Sequence, residues 1–335
     1  MADIEKKVQV GSMDRYDDEL TEVHLSRTTP PPKKKLSPVE LKRQGILLVF
    51  AVIFVLYGTL FYYVPVLGWV MAFEKFKFKD GFFGSKWIWF DNFKTLFDPR
   101  FDFIPVIRNT FCMGAINLVT STVAAIAFAI LLNEVRNKLG KKLVQTISYM
   151  PHFLSWIVVC SIIQEIFSYE GIINEILMLL HIIKEPLLWF QIPQFFWPIV
   201  AISNLWKETG WNAIIYLAAI TAIDPCLYEA AEIDGAGRFG KMRYITFPGI
   251  LPTIMILLVM NIGNVLNAGF EVQYILGRTG PCQNVAWTID IFVLMNGASN
   301  YGLGTAAGIF KSVVAIALIL IANFAAKKLG QESLF

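Results

Sequence analysis

The sequence predicts an all-α, polytopic membrane protein with six transmembrane helices. Composition is the first reason. Of the 335 residues, 56% are hydrophobic and only 16% charged, and the mean hydropathy is +0.55. A soluble domain carries about 25% charged residues. The second reason is the length of the apolar runs. Six of them, at 45–66, 109–133, 143–166, 195–222, 249–272 and 303–326, can each cross about 30 Å of hydrocarbon as a helix. The third is that the many short alternating segments of a transmembrane β-barrel are missing.

Residues 1–44 read as a largely disordered cytoplasmic tail. They are polar, charged and interrupted by TPPPKKK, unlike a cleavable signal peptide. The stretch VQVGSM resembles a vector-derived start, with Met13 as the alternative natural beginning. Arg27, Lys33, Lys34, Lys35, Lys42 and Arg43 gather before span one, where they act as a topological anchor or hold anionic lipid. Span one is almost purely apolar, so it faces lipid or packs peripherally. Its tyrosines and Trp69 mark the outer interface.

Basic residues set the orientation. Arg136, Lys138, Lys141 and Lys142 lie between spans two and three. Arg238, Lys241 and Arg243 lie between spans four and five, and Lys327 and Lys328 follow span six. The opposite loops hold only Lys184 (167–194) and Arg278 (273–302). Both termini, including the end segment 329–335, are therefore expected in the cytoplasm, with the permeation domain at 45–328. Residues 67–108 argue the other way with seven basic side chains, from Lys75 to Arg108, and are outvoted.

The later spans carry polar residues that span one lacks. Span two holds Asn117, Thr120, Ser121 and Thr122. Span four holds Asn204, Lys207, Glu208, Trp211 and Asn212. Span five holds Asn261, Asn264, Asn267 and Glu271, which on a continuous helix share an arc of about 120°. Polar groups at membrane depth are costly unless they pair or line a wet cavity. Each alone reads as interhelical glue. Together, Asn204, Trp211, Asn261, Asn264, Asn267 and Glu271 are the candidate substrate path. Lys207 and Glu208 keep an ion-coupled carrier open as an alternative, and a non-transporting membrane scaffold is a third. His152 follows Pro151 in span three and reads as a hydrogen-bonded packing residue or as a group facing a cavity. The four cysteines form no CxxC pair and the three histidines are far apart. We expect neither a structural disulfide nor a metal site.

One stretch carries a sharper signal. EAAEIDGAGRFGKM, residues 229–242, spaces Gly235, Gly240 and Lys241 almost as a phosphate-cradling loop does. Such a loop needs Ser or Thr after the lysine for Mg²⁺, and Met242 stands there. The preceding residues read as helix, not strand. Asp224 is placed to cap a helix that opens on Pro225. Ala230 and Ala231 give it a low face, and Gly235 lets the chain turn. A second short helix is expected over 236–244.

The spacing also resembles another pattern: E-A-A, three residues, G, nine residues, I-x-L-P. Glu229, Ala230, Ala231, Gly235 and Ile245 to Pro248 match it, with Phe247 in place of leucine. This is the cytoplasmic loop of permease subunits of ATP-binding-cassette importers. RNTF at 108–111 and YMPHFLSW at 149–156 add similarity to the branch for complex polysaccharides and oligosaccharides. The resemblance implies a type I permease fold with a coupling helix at about 225–244. Glu229, Ala230, Ala231, Gly235 and Pro248 would form the ATPase-coupling residues. It also implies no catalysis and no cofactor on this chain, with ATP and Mg²⁺ bound in two partner ATPase subunits. The further partners are a second, different permease subunit and an extracellular solute-binding protein, in a bacterial cytoplasmic membrane and with no nucleic acid. The cargo it implies is a sugar.

Overall fold

The computed structural model of the protein describes residues 38–278, 280–328 and 330, in two compact units that divide after Pro65. The tail up to Ser37, the Met13 start and most of 329–335 lie outside the described residues.

The first unit is one helix, α1 (Pro38–Gly58), continued by a π-type turn over Thr59–Tyr63. It reaches back into the segment read as tail. Its apolar side chains are exposed, Phe54 at 70% and Leu56 at 63%, the surface a lipid-facing span presents.

The second unit holds the helices that position the site. After a 3₁₀ stretch ending at Phe73, a two-residue hairpin pairs Glu74–Lys75 with Lys86–Trp87. Asn92 pins it by donating Nδ2 to the carbonyls of Ala72 (2.9 Å) and Glu74 (3.0 Å). The principal helices are α2 (Phe103–Asn133), α3 (Lys138–Tyr149), α4 (Trp156–Ile166), α5 (Ile172–Leu179), α6 (Pro193–Thr221) and α7 (Pro225–Ile233). They continue with α8 (Phe247–Gly263), α9 (Phe270–Gly277), α10 (Ile289–Gly297) and α11 (Tyr301–Lys328). Helices α2 and α6 run parallel. Met113 packs with Phe196, Ile199 and Val200 at one end, and Ala125, Ala129 and Leu132 pack with Ala213, Leu217 and Ile220 at the other. Ile250 and Ile254 of α8 join the second group, so α8 starts where α6 ends. Leu303, Ala306 and Ala307 of α11 pack with Phe103 and Val106 at the start of α2. Small residues at these contacts bring backbones close, as membrane helix packing requires.

Four helical runs are long and apolar enough to span a membrane: 42–73, 103–133, 238–263 and 301–328. Two further runs are bent pairs, α3 with α4 at 103° and α6 with α7 at 69°, and the number of runs is six if each pair is one span. The chain is an all-α polytopic membrane protein.

Three expectations are corrected. The run expected at 143–166 is not one helix. It breaks at a 3₁₀ turn, Met150–Phe153, where Pro151 cannot continue the α-helical ladder. Helix α4 restarts with the Ser155 hydroxyl accepting from Val158 N–H. The run expected at 249–272 is not continuous either. It stops at Gly263, turns through Asn264–Leu266 and resumes at Phe270, with Gly269 at φ +88°. That conformation suits glycine, which lacks the Cβ that would clash. The second short helix expected at 236–244 is not separate. Arg238–Lys241 and a π-type turn, Met242–Thr246, run straight into α8. The widened turn sits just before Pro248, whose missing N–H leaves the ordinary i→i−4 bond unmade.

The span-five break packs on Gly114 of α2, where an added methyl would overlap the Val265 carbonyl. Gly114→Ala should therefore lower the thermal midpoint of the detergent-solubilised protein, by several degrees for an overpacking cost of about 1–3 kcal/mol. Gly308→Ala, where a methyl meets open space, is the control. Equal midpoints for the two variants would refute the close approach at Gly114.

Candidate functional site

Two polar sites lie at different depths of the second unit. The first is the loop between α6 and α8. The Asp224 carboxylate accepts from Cys226 N–H at 2.9 Å and Pro225 takes the first turn of α7. Pro there costs no hydrogen bond, because that N–H is unpaired in any helix. The helix ends in a Schellman arrangement: Ala236 N–H donates to Ala231 C=O (2.8 Å), and Gly235 N–H to Glu232 C=O (3.1 Å). Gly235 sits at φ +78°, where a side chain would be strained. Tyr228 and Thr246 share a hydroxyl–hydroxyl bond of 2.9 Å. Lys241 donates to Glu232 at 2.7 Å and holds that carboxyl below its ordinary range. These two contacts tie α7 to the start of α8.

Glu229, Ala230 and Gly235 are exposed and Ala231 is half-buried; Pro248 is exposed in the first turn of α8. Sequence reasoning missed the two side chains that project furthest, Ile233 at 88% and Phe239 at 86% exposure. Their signal was available: two large apolar residues inside an otherwise charged and glycine-rich loop. Gly235 follows a helix rather than a strand, and the Lys241 ammonium is on Glu232, so the phosphate-loop spacing has no phosphate-loop structure around it.

The second site is the elbow between α3 and α4. Asn204, Lys207, Glu208 and Trp211 follow one another at helical spacing on α6 and share a stripe. The Lys207 ammonium, 4% exposed, donates to the carbonyls of His152 (2.6 Å) and Pro151 (3.4 Å). It also lies 3.3 Å from Glu208 and over the Trp156 ring at 5.3 Å. The other Glu208 oxygen meets His152 Nδ1 at 2.7 Å. Trp211 stacks flat on the His152 imidazole, with centroids 4.3 Å apart and planes 3° apart. Lys207 and Glu208 thus pair with each other and across to the elbow. His152 is a hydrogen-bonded packing residue.

The structure does not bring the span-five residues into one helical arc, because the helix that defined the arc ends before Asn264. Asn261, Asn264, Asn267 and Glu271 are all exposed. Asn267 donates to Asn264 Oδ1 at 3.2 Å, and Asn264 donates weakly to Met260 C=O at 3.4 Å. Glu271 begins α9, which packs through Val272 and Leu276 on Val159, Cys160 and Ile163 of α4. At the break itself the buried Gln273 amide donates to Ala268 C=O at 2.7 Å. In span two, Thr120 returns its hydroxyl to the Ile116 carbonyl of its own helix at 2.7 Å. Among the described residues no three His, Cys, Asp or Glu side chains gather into a metal site.

Residues 121–332 match the family model for the binding-protein-dependent transport system inner membrane component. The chain belongs to that family of permeases. The permease is 40% identical over 319 residues to protein LplB of Bacillus subtilis, covering 91% of this chain and 99% of the relative. It is 38% identical over 307 residues to the B. subtilis polygalacturonan/rhamnogalacturonan transport system permease protein YteP, covering 90% and 94%. It superposes with a TM-score of 0.79, at 34% identity and over 88% of this chain and 98% of the other, on a chain of a bacterial alginate ABC transporter. That structure is a complex with an alginate pentasaccharide-bound periplasmic protein. This permease is a non-catalytic membrane subunit of an ABC importer assembly and couples to a separate ATPase. Membership removes the ion-coupled carrier and the scaffold as alternatives.

The elbow generates a testable outcome. Lys207→Met leaves two backbone carbonyls without their donor and Glu208 with His152 as its remaining partner, and losing a hydrogen-bonded charge from a half-buried cluster costs about 1–3 kcal/mol. The variant should show a drop in thermal midpoint in detergent. Lys207→Met combined with Glu208→Leu should recover part of it. If the double variant is no more stable than the single one, the lysine–glutamate pairing is not what holds the elbow.

Proposed function

We propose that this permease forms half of the translocation pathway of an ATP-driven importer of oligosaccharides or polysaccharide fragments. Its partners are a second, different permease chain, two ATPase subunits that bind ATP and Mg²⁺, and an extracellular solute-binding protein. It sits in a bacterial cytoplasmic membrane as six spans, with each bent pair counted as one, and with both termini in the cytoplasm. The permeation domain is 45–328. Relatives named for polygalacturonan, rhamnogalacturonan and alginate transport support a sugar cargo.

The observation that carries the coupling assignment is the capped helix α7 with Gly235 at its end and Ile233 and Phe239 exposed beside it. A short rigid helix with an apolar tip is suited to a groove on a soluble partner. Glu229, Ala230, Ala231, Gly235 and Pro248 form this docking element. Asn204, Trp211, Asn261, Asn264, Asn267 and Glu271 form the sugar path. Exposed amides offer both donor and acceptor to a sugar hydroxyl.

The central test is reconstitution of the full complex in lipid vesicles with its binding protein, measuring uptake of labelled oligosaccharide driven by ATP. No uptake or ATPase stimulation with any glycan would sink the importer reading for this chain. Within that assay, Gly235→Val should insert normally yet lose sugar-stimulated ATP hydrolysis, because a β-branched residue cannot adopt the turn. Full stimulation with the ATPase retained would remove Gly235 from coupling. Asn264→Leu should lower uptake severalfold with the subunits still assembled. Loss of the partner permease on purification would instead assign Asn264 to the interface.

A further inference from the structure

A polar cavity lies at the other end of the second unit from α7. It has a volume of about 580 Å³, within the usual range for small-molecule sites. Its walls are the start of α2 and the segment that leads into α10. Arg108, Asn109, Gln283, Asn284, Trp287 and Asn296 line it.

The cavity is organised around one fully buried amide. Asn109 donates Nδ2 to the carbonyls of Asn284 (2.8 Å) and Trp287 (3.1 Å). Those contacts fix the orientation of the amide, because only its nitrogen can donate to a carbonyl. Its Oδ1 is left to accept, and it accepts twice from Arg108, from Nε at 3.2 Å and Nη2 at 2.9 Å. The guanidinium is therefore held in place before any ligand arrives, and its remaining N–H groups stay free. A planar fork with fixed orientation matches a carboxylate in two-point contact.

The neighbouring charges narrow the ligand. Arg100 also lines the cavity, but its Nε and Nη2 are both taken by Asp98, at 3.0 and 2.8 Å. That pair holds the Asp98 carboxyl down to about 2, so it remains ionised and keeps Arg100 occupied. Asp102 stands on the same wall and opposes a simple anion such as phosphate. A carboxylate accepts hydroxyl donors, so Asp102 favours a ligand that carries hydroxyls beside its acid group. Gln283 and the Asn296 Oδ1 add amide partners, since Asn296 spends its Nδ2 on Phe292 C=O at 3.2 Å. Trp287 supplies a ring against which an apolar sugar face can lie.

We propose that this cavity is a binding site for an acidic sugar residue, a uronate, with the Arg108 guanidinium on its carboxylate and Asp102 and the amides on its hydroxyls. The site rests on the oligosaccharide-importer reading and adds a charge-selective station to it, at the end of the unit opposite the coupling helix.

The test uses the assembled transporter in nanodiscs, without its binding protein. Two probes are titrated by calorimetry: trigalacturonate, and the same trimer with its carboxyl groups reduced to alcohols. The acidic trimer should bind saturably, and the reduced trimer at least about tenfold more weakly, as loss of a charge-assisted hydrogen bond implies. Arg108→Gln should weaken the acidic trimer by a similar factor and leave the reduced one unchanged. Arg108→Lys should fall between, keeping the charge without the fork. Gln283→Glu leaves the Asn109 contacts untouched and should weaken the acidic trimer alone, which guards against a folding artefact at Arg108. Equal binding of the two trimers, no binding of the acidic one, or indifference to both Arg108→Gln and Gln283→Glu would overturn the site. Sugar-stimulated ATP hydrolysis in the same nanodiscs, with binding protein restored, separates the two levels. Stimulation without charge-selective binding discards the cavity and keeps the importer, whereas the absence of stimulation by any glycan discards the importer reading.

Discussion

Inside a bilayer a backbone carbonyl freed by a broken helix has no water to turn to. Two of the breaks in this permease's helical runs, the elbow and the span-five turn, are each met by a side chain from protein. At the elbow after Met150 the donor is the Lys207 ammonium, which reaches the carbonyls of Pro151 and His152. At the break after Gly263 the donor is the Gln273 amide, which reaches Ala268 C=O. Without these donors the turns would leave unpaired groups in a buried setting, at a cost of several kcal/mol each. The charge that comes with Lys207 then needs its own compensation. Glu208 supplies it, and His152 and Trp211 complete the cluster. A buried charge thus brings other polar groups with it, and the cluster grows around the backbone break.

This also explains which parts of the molecule were legible in the sequence. The α7 loop was readable almost residue by residue, because its determinants are local. Asp224 caps the helix that Pro225 opens, and Gly235 takes the positive φ that ends it. No distant contact is needed to infer these. The helix faces were legible where the helices are unbroken: Asn204, Lys207, Glu208 and Trp211 do share a stripe. The span-five arc failed because it assumed an uninterrupted 100° step across Gly263 and Gly269. The residues that break the run, glycine and asparagine in NIGNVLNAG, are those that permit turns. The apolar length of the run outweighed them. The elbow and its angle went unread, although Pro151 breaks the run and Ser155 caps the next helix. That angle depends on α6 supplying Lys207 from 55 residues further along the chain, a contact no local pattern reveals.

The α7 loop is connected to the elbow and to the span-five break through α6 and α8. Helix α6 is uninterrupted from the elbow contacts at Glu208 to Thr221, about 20 Å at 1.5 Å per residue. Three residues, Ala222–Asp224, then join it to α7. On its other side α7 is fastened to the start of α8 by Tyr228–Thr246 and Glu232–Lys241. The helical run that begins there, Arg238–Gly263, leads to the second break. Ile220 and Leu217 of α6 pack on Ile250 and Ile254 of α8, so the two helices are joined near the loop as well. Helices α6 and α8 thus link α7 physically to the elbow and to Asn264–Gly269. Like the π-type turn at Met242–Thr246 and the joint at Ala222–Asp224, both are places where the backbone departs from α-helix, and at both a polar side chain holds a carbonyl. A side-chain donor can exchange one acceptor for another at a fraction of the cost of unwinding a turn, so the breaks are the softer joints of the helices that meet at the loop.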